Sequence, residues 1–191
     1  MAGSDAADRV TEAMRVIDRA DFLPDQWRHQ AGEDRPLPLA HGSTNSQPST
    51  VHRMLAELAP APGHRVLDVG SGSGWTTALL GYLTGPGGEV LGLDLTEYLV
   101  RFGQDAIAAY AQPWVRIEQA APGSFGRPGR SWDRILVSAD AGDIPAELTA
   151  QLADGGRMVL PVSGRMAVVD RIDGELRTRH LPGGWSFVRL R

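Results

Sequence analysis

The first sixty residues hold two helical patterns of apolar positions with an aperiodic stretch between them. An amphipathic helix is predicted over residues 5–20, and a second helix is predicted to follow Pro48. The apolar positions that share one face are Val10, Ala13, Met14 and Ile17 in the first helix and Val51, Met54, Leu55 and Leu58 in the second. The stretch from Phe22 to Ser46 contains several prolines and glycines. Loops of that length inside compact domains are usually functional or disordered.

From Arg65 onward, short apolar runs alternate with helical stretches. Such alternation is typical of a parallel sheet that helices cover on both faces. Strands are predicted at Val66–Val69, Val90–Leu93, Trp114–Ile117, Arg134–Ser138 and Arg157–Leu160, and helices near Trp75–Thr84, Glu97–Tyr110 and Pro145–Ala153.

The last thirty residues break this alternation. The dipeptide Asp173-Gly174 separates the predicted strands Met166–Ile172 and Glu175–His180, and Asp-Gly at such a place is a strong hairpin signal. A further strand at Trp185–Leu190 can join the same sheet.

These patterns predict an α/β fold class. We expect a doubly wound, Rossmann-like, mostly parallel seven-stranded sheet with an antiparallel C-terminal hairpin and an N-terminal helical cap. Residues 1–191 are expected to form a single domain, with the helices and the long loop in residues 1–60 and the Rossmann-like core in residues 61–191.

The amino-acid composition and the charge exclude several kinds of functional site. The chain has no cysteine, which excludes disulfides, thiolate zinc sites and a cysteine nucleophile. A net charge of −4 argues against nucleic-acid binding, and no apolar run approaches the ~20 residues of a membrane helix. The five histidines show no metal-ligand spacing, so no metal is expected. Because the chain starts with polar and acidic residues, we expect a cytoplasmic protein, and we expect a monomer.

The first strand-to-helix turn of the predicted core is rich in glycine. It reads Val66-Leu67-Asp68-Val69-Gly70-Ser71-Gly72-Ser73-Gly74-Trp75. Glycines at this place let the backbone turn sharply and let a ligand approach the main chain. The bulky Trp75 stands where the dinucleotide fingerprint requires a small residue, and the GK[ST] ending of a P-loop is missing.

Two carboxylates accompany the turn. Asp68 precedes the first glycine by two residues, where it would repel a pyrophosphate and attract a cation. Asp94 ends the next predicted strand, where an acid can accept hydrogen bonds from both ribose hydroxyls. A nucleoside with a positive charge and no phosphate satisfies these features, and S-adenosylmethionine is such a ligand. The alternative is a structural glycine turn with two solvated acids.

The chain resembles the protein-L-isoaspartate O-methyltransferases, which are class I S-adenosylmethionine-dependent methyltransferases. The specific resemblance is the loop Asp34-Arg35-Pro36-Leu37-Pro38-Leu39-Ala40-His41-Gly42-Ser43-Thr44-Asn45-Ser46-Gln47-Pro48. Further segments match in the same order, and they are 22–24, 66–74, 132–139, 144–145 and 151–162. This resemblance implies methyl transfer to the free carboxylate of an isoaspartyl residue, with a carboxylate-bearing protein or peptide as the substrate partner.

The resemblance also implies site residues. Ser46 matches the serine usually assigned to the active site, and Thr44, two residues before it, is the second predicted catalytic residue. The residues implied for the cofactor are Ser43, Thr44, Asn45 and Ser46 in the closing loop, Asp68, Gly70, Ser71, Gly72 and Gly74 at the glycine turn, Asp94 and Leu95 beside the ribose, and Gly123.

Two positions depart from the family's pattern. Asn45 stands where the family has isoleucine, and Ala121-Pro122-Gly123 replaces a Gly-Asp-Gly whose acid contacts adenine. Since proline has no side-chain acceptor, Gln119 or Ser124 is the alternative adenine partner. The departures keep two other hypotheses open: a relative that methylates another carboxylate, in a precursor peptide or a small acid, and a non-catalytic S-adenosylmethionine-binding module.

Ser46 itself has two interpretations. Its hydroxyl can donate to one oxygen of the substrate carboxylate and so orient the other oxygen toward the methyl group. Because it lies just before a predicted helix with Pro48 in the first turn, it can instead be the N-cap of that helix.

Overall fold

The computed structural model describes residues 2–190, with side chains from residue 5. Its helices are α1 (Ala2–Val16), α2 (Pro48–Leu58), α3 (Trp75–Thr84), α4 (Glu97–Ala108) and α5 (Ala146–Ala150). Its strands are β1 (Leu37–Pro38), β2 (Thr44–Asn45), β3 (Arg65–Val69), β4 (Glu89–Asp94), β5 (Val115–Gln119), β6 (Trp132–Val137), β7 (Leu152–Val162), β8 (Arg165–Ile172) and β9 (Glu175–His180). Short 3₁₀ helices lie at Arg19–Phe22, Asp25–Gln30 and Ala40–Gly42.

The main sheet has seven strands in the order β5-β4-β3-β6-β7-β8-β9. Strands β5, β4, β3, β6 and β7 pair in parallel, and β8 and β9 add antiparallel neighbours at one edge. The predicted fold class is therefore confirmed, including the C-terminal hairpin around Asp173-Gly174. The two-residue strands β1 and β2 pair with each other outside this sheet.

Alternating residues of the central strands bury two apolar clusters, one on each face of the sheet. Val66 and Val90 pack on the face that α1, α2 and α3 cover. Leu67 and Leu91 pack on the opposite face, together with Leu148 of α5. Because both faces are covered, the central strands carry near-continuous apolar runs, as the sequence pattern indicated.

The first predicted helix ends earlier than its apolar pattern suggested. It was expected to continue to residue 20, but α1 ends at Val16 and Asp18 has extended backbone angles. The Asp18 carboxylate accepts a hydrogen bond from the Ala20 amide and so begins a separate 3₁₀ helix. This break turns the side chain of Arg19 into the protein, where it is 5% exposed.

The expected strand at residues 185–190 does not form. Its backbone forms one isolated bridge, in which the Asp140 amide donates to the Val188 carbonyl and the Leu190 amide donates to the Asp140 carbonyl. The segment instead passes the carboxyl end of β6, where it bonds to Asp140. Proline and two glycines at residues 182–184 precede it, and they favour a turn over a sustained ladder.

The sheet order creates a switch point between β3 and its two neighbours. From β3 the chain crosses through α3 to β4 on one side, and β6 is paired on the other side. In open α/β sheets, ligands bind at such a point, outside the carboxyl ends of the strands. Within residues 2–190, no helix combines the length and apolarity that crossing a bilayer demands.

Candidate active site

A cavity of about 610 Å³ opens at the carboxyl ends of β3, β4 and β6. Its volume lies within the ~300–1,000 Å³ that is usual for small-molecule sites. Gly70 follows β3, Asp94 ends β4 and Ser138 follows β6, and all three line the cavity. The residues before α2 close the cavity from one side, and the C-terminal segment closes it from another.

The glycine turn has the geometry that its sequence predicted. Gly70 and Gly72 adopt positive φ angles of 77° and 55°, which residues with a Cβ rarely adopt. The amides of Gly70 and Ser71 donate to the Leu93 carbonyl, which binds the turn to the end of β4. A Cβ on Gly74 would lie 2.7 Å from the Ile117 side chain, so this glycine serves close packing at the start of α3.

Asp94 lies at the cavity wall and braces the turn. One carboxylate oxygen accepts from the Gly72 amide at 3.0 Å, and the other accepts from the Thr96 amide at 2.9 Å. Each carboxylate oxygen has a further lone pair, so the group can still accept from a ligand. This placement fits the predicted ribose contact.

Asp68 lies beneath the turn and is completely buried. One of its oxygens accepts hydrogen bonds from the hydroxyls of Thr76 and Thr77, both at 2.7 Å, and its other oxygen has no partner. Burial raises the pKa of the Asp68 carboxyl from its ordinary value of 3.8 to about 6. The two threonine hydrogen bonds oppose this rise and the nearby charge of Asp94 adds to it.

The loop before α2 places Ser46 on the cavity wall but not at the helix cap. Gln47 is the N-cap residue of α2, and it makes no side-chain capping hydrogen bond. Asp34 supplies the cap instead, because its carboxylate accepts from the Ser49 amide and from the Gln47 side chain. These hydrogen bonds lower the pKa of Asp34. The capping interpretation of Ser46 is therefore wrong.

The predicted site residues fall into three groups. Seven line the cavity, and they are Ser43, Thr44, Ser46, Gly70, Gly72, Asp94 and Leu95. Two line a smaller adjoining pocket, and they are Asn45 and Ser71. Three line neither, and they are Asp68, Gly74 and Gly123. The two predicted catalytic residues, Thr44 and Ser46, thus line the same cavity as Asp94.

The two candidate adenine partners occupy different places. Ser124 lines the cavity next to Ala120, whereas the exposed Gln119 donates its amide to the Leu95 carbonyl and does not line it. Pro122 is exposed at the tip of this turn. The structure therefore favours Ser124 over Gln119 for that role.

Sequence reasoning missed two parts of the cavity wall. Ser138 and Ala139 line it directly after β6, at the switch point between β3 and β6, but the sequence pattern did not predict which strands pair with β3. The C-terminal residues 184–190 line it as well, including the exposed Arg189. No sequence signal marked this segment, because its position depends on a chain crossing rather than on a local pattern. Among the residues with described side chains, no group of acidic or histidine ligands could hold a metal ion.

The model of the protein-L-isoaspartate(D-aspartate) O-methyltransferase family matches residues 2–188, almost the entire chain. This chain belongs to that family. It is 40% identical to the protein-L-isoaspartate O-methyltransferase of Aeropyrum pernix over 177 residues, which cover 90% of this chain and 68% of the relative. It is 38% identical to the enzyme of Methanopyrus kandleri over 190 residues, covering 96% and 84% of the two chains.

A solved structure from Plasmodium falciparum, assigned to the same family and in complex with S-adenosyl-L-homocysteine, has the same fold. The TM-score is 0.84, and the match covers 96% of this chain and 90% of that one. Because the two sequences are only 24% identical, the likeness shows the isoaspartate methyltransferase fold and nothing finer.

Proposed function

We propose that this protein transfers a methyl group from S-adenosylmethionine to the free carboxylate of isoaspartyl residues in proteins or peptides, as a repair enzyme. Because the chain belongs to this family, one structural observation is the main support for the proposal. The family-specific loop, with Thr44 and Ser46, and the glycine turn, with Gly70 and Gly72, open into the same cavity.

The residues around the glycine turn fit this cofactor. S-adenosylmethionine supplies a methyl group on a positively charged sulfur. Asp68 offers a buried oxygen with no partner beneath the turn, and Ser71 offers a buried hydroxyl with no partner within it. Asp94 provides a second carboxylate at the cavity wall. Two carboxylates close to the turn favour a cation and disfavour a phosphate.

The chain's own residues then act mainly by position. The acceptor carboxylate is already an anion at neutral pH, so no general base is required to activate it. Among the described residues the Ser46 hydroxyl makes no hydrogen bond, which leaves it available to a substrate at the cavity wall. Arg189 lines the same cavity and carries a permanent positive charge that suits an anionic substrate. The rest of the rate enhancement comes from excluding water from the cavity and from holding the acceptor carboxylate in line with the methyl group.

Methyl transfer to matched peptides tests the proposal. We expect transfer of a labelled methyl group to an isoaspartyl peptide and none to the same peptide with ordinary aspartate. Transfer only to a different acid, such as a precursor peptide, would instead support a retargeted relative. Cofactor binding in calorimetry without any transfer would support a binding module and would contradict the proposal.

Buried Asp68 makes cofactor affinity depend on pH. Its carboxyl has a pKa of about 6, so it is mostly protonated at pH 5 and mostly ionised at pH 7. A cationic ligand binds the ionised form better and displaces the proton, so affinity should rise with pH across this window. We expect calorimetry to show roughly fivefold tighter S-adenosylmethionine binding at pH 7 than at pH 5, which corresponds to a ligand that lowers the pKa of Asp68 by ~1 unit.

The neutral-sulfur product S-adenosylhomocysteine is the ligand control, and its affinity should change much less over the same range. The Asp68→Asn variant keeps an oxygen for the two threonine hydroxyls and removes the titration. If the variant retained the full pH dependence, a group other than Asp68 would be responsible, and the role of Asp68 would be rejected.

We further infer that the protein works as one domain and as a monomer in the cytoplasm, without nucleic acid. The apolar cluster that joins Val10 and Val51 of the N-terminal helices to Val66 and Val90 of the sheet supports one cooperative unit. The net charge of −4 supports the absence of nucleic-acid binding. Sedimentation and cell fractionation test the oligomeric state and the location.

A further inference from the structure

Arg19 lies buried between the N-terminal helix and the substrate loop, and it is 5% exposed. Its guanidinium donates six hydrogen bonds to this loop. The acceptors are the carbonyl oxygens of Ala31, Glu33, Arg35, Asn45 and Ser46 and the side-chain oxygen of Asn45, at 2.8–3.3 Å. The Arg19 side chain thus bonds to both arms of the 31–46 loop, which are residues 31–35 and residues 45–46. The second arm includes the carbonyl group of Ser46.

These partners are unusual for a buried cation, because among the described residues every acceptor of Arg19 is a carbonyl or amide oxygen. The guanidinium also lies 5.5 Å from the centre of the Trp75 ring. Burial lowers the pKa of Arg19 to about 10. Burying a charge costs free energy when no carboxylate pairs with it. We therefore ask what the loop conformation held by Arg19 contributes to function.

Asn45 extends the contact from the loop to the glycine turn. Its side-chain oxygen accepts from Arg19 at 2.8 Å, and its side-chain nitrogen donates to the Ser73 hydroxyl at 3.2 Å. Asn45 and Ser73 are both buried. Arg19, Asn45 and Ser73 therefore form one buried chain of hydrogen bonds that joins the substrate loop to the cofactor turn. The polar Asn45 is a satisfied member of this chain rather than a packing defect.

We propose that Arg19 is a positioning residue for methyl transfer: it acts through the Asn45 and Ser46 backbone to hold the Ser46 hydroxyl against the cavity, and Asn45 couples that position to the glycine turn. The inference rests on the proposed function for its catalytic consequence. Arg19 does not line the cavity, so it touches neither ligand and works only through the loop.

The planar fork of arginine is the reason that lysine cannot replace it. The guanidinium presents five N–H groups in a fixed plane, whereas an ammonium has three donors on a flexible stem. An Arg19→Lys variant keeps the charge but cannot reach both arms of the loop together. A displacement of about 1 Å at a reacting group can cost ~100-fold in rate.

Single-turnover methyl transfer to an isoaspartyl peptide tests the role, at temperatures where circular dichroism shows each variant folded. We expect Arg19→Lys to lower the rate at saturating substrate and cofactor by tenfold or more. The matched control is Arg28→Lys, because the exposed Arg28 side chain donates to the Leu23 carbonyl and pairs with Asp25 rather than with the 31–46 loop. The control rate should stay within twofold of the parent.

The combination Arg19→Lys with Ser46→Ala separates positioning from general stability. If Arg19 acts through Ser46, the double variant should be no slower than Ser46→Ala alone. If the two losses multiply, Arg19 does not act through that hydroxyl and the proposal is overturned. If Arg19→Lys does not fold, Asn45→Leu is the second variant. It removes the side-chain bonds of Asn45 but keeps the backbone carbonyls that accept from Arg19, and we expect it to reduce the rate of methyl transfer.

Hydrogen exchange of the loop amides gives a readout that needs no activity. The Leu39 and Ser43 amides donate within the loop, and their exchange should accelerate at least tenfold in Arg19→Lys but not in Arg28→Lys. Unchanged exchange would overturn the positioning role even if the parent methylates the peptide. In a further outcome, the parent protein methylates nothing while the Arg19→Lys variant still shows faster exchange. That result would overturn the proposed function and leave the contact between Arg19 and the loop established.

Discussion

Ser46→Ala should lower the single-turnover rate of methyl transfer about 100-fold, because removing one positioned donor at a transition state costs ~10²-fold or more. The hydroxyl lines the cavity, and its loss should leave S-adenosylmethionine affinity within a few-fold of the parent. Stability should change little, since the α2 cap comes from Asp34 rather than from Ser46. Rapid-quench kinetics and thermal melting check the two expectations.

Ser49→Ala is the matched control for this experiment. Ser49 is exposed, lies three residues further along and bonds to Asp34 through its amide and its side chain. Because Ser49 does not line the cavity, its hydroxyl should be dispensable for transfer. Ser46→Asp adds a second arm, because it places an anion beside an anionic substrate and should abolish transfer. A Ser46→Asp variant as active as the parent would remove Ser46 from the catalytic machinery.

Features that depend on local sequence could be predicted from the sequence. The glycine turn, the four buried positions of α2 and the Asp173-Gly174 hairpin all follow from short-range periodicity and turn chemistry. The family-specific loop likewise identified Ser46 as a wall of the site. In each case the residues that decide the structure lie within a few positions of one another.

Features that depend on contacts between distant residues could not be predicted. Asp34 caps α2 from about fifteen residues upstream, and nothing in the local pattern around Ser46 reveals a donor-acceptor pair of that separation. Arg19 belongs to an apparent amphipathic helix, and its buried contacts with Asn45 exist only because the helix breaks at Asp18. Arg189 reaches the cavity through a chain crossing that alternation of apolar residues cannot indicate.

For Asp68 the sequence predicted the position but not the burial. Its position at the end of β3 correctly predicted a carboxylate near the glycine turn. Its depth was not predicted, because burial depends on how Thr76 and Thr77 of α3 fold over it. Asp68 is therefore a buried acid that does not line the cavity, where the resemblance implied a direct contact with the cofactor.

Asp94→Ala should weaken S-adenosylmethionine binding about 30- to 100-fold. Two hydrogen bonds from ribose hydroxyls to a charged acceptor contribute roughly 1 kcal/mol or more each, and tenfold in affinity corresponds to ~1.4 kcal/mol. The structure adds a second cost, because the same carboxylate accepts from the Gly72 and Thr96 amides and so holds the glycine turn. Titration calorimetry measures the loss, with Asp105→Ala on the exposed face of α4 as the unaffected control.

Ligand analogues separate the ribose contact from the bracing of the turn. Removing the 2′-hydroxyl of S-adenosylhomocysteine should weaken binding to the parent several-fold, since a donor to the Asp94 carboxylate is lost. The same removal should cost the Asp94→Ala variant almost nothing, because its partner is already absent. If the parent and the variant lost equal affinity on removal of the hydroxyl, Asp94 would not hold the ribose, and its effect would come from the Gly72 and Thr96 amides alone.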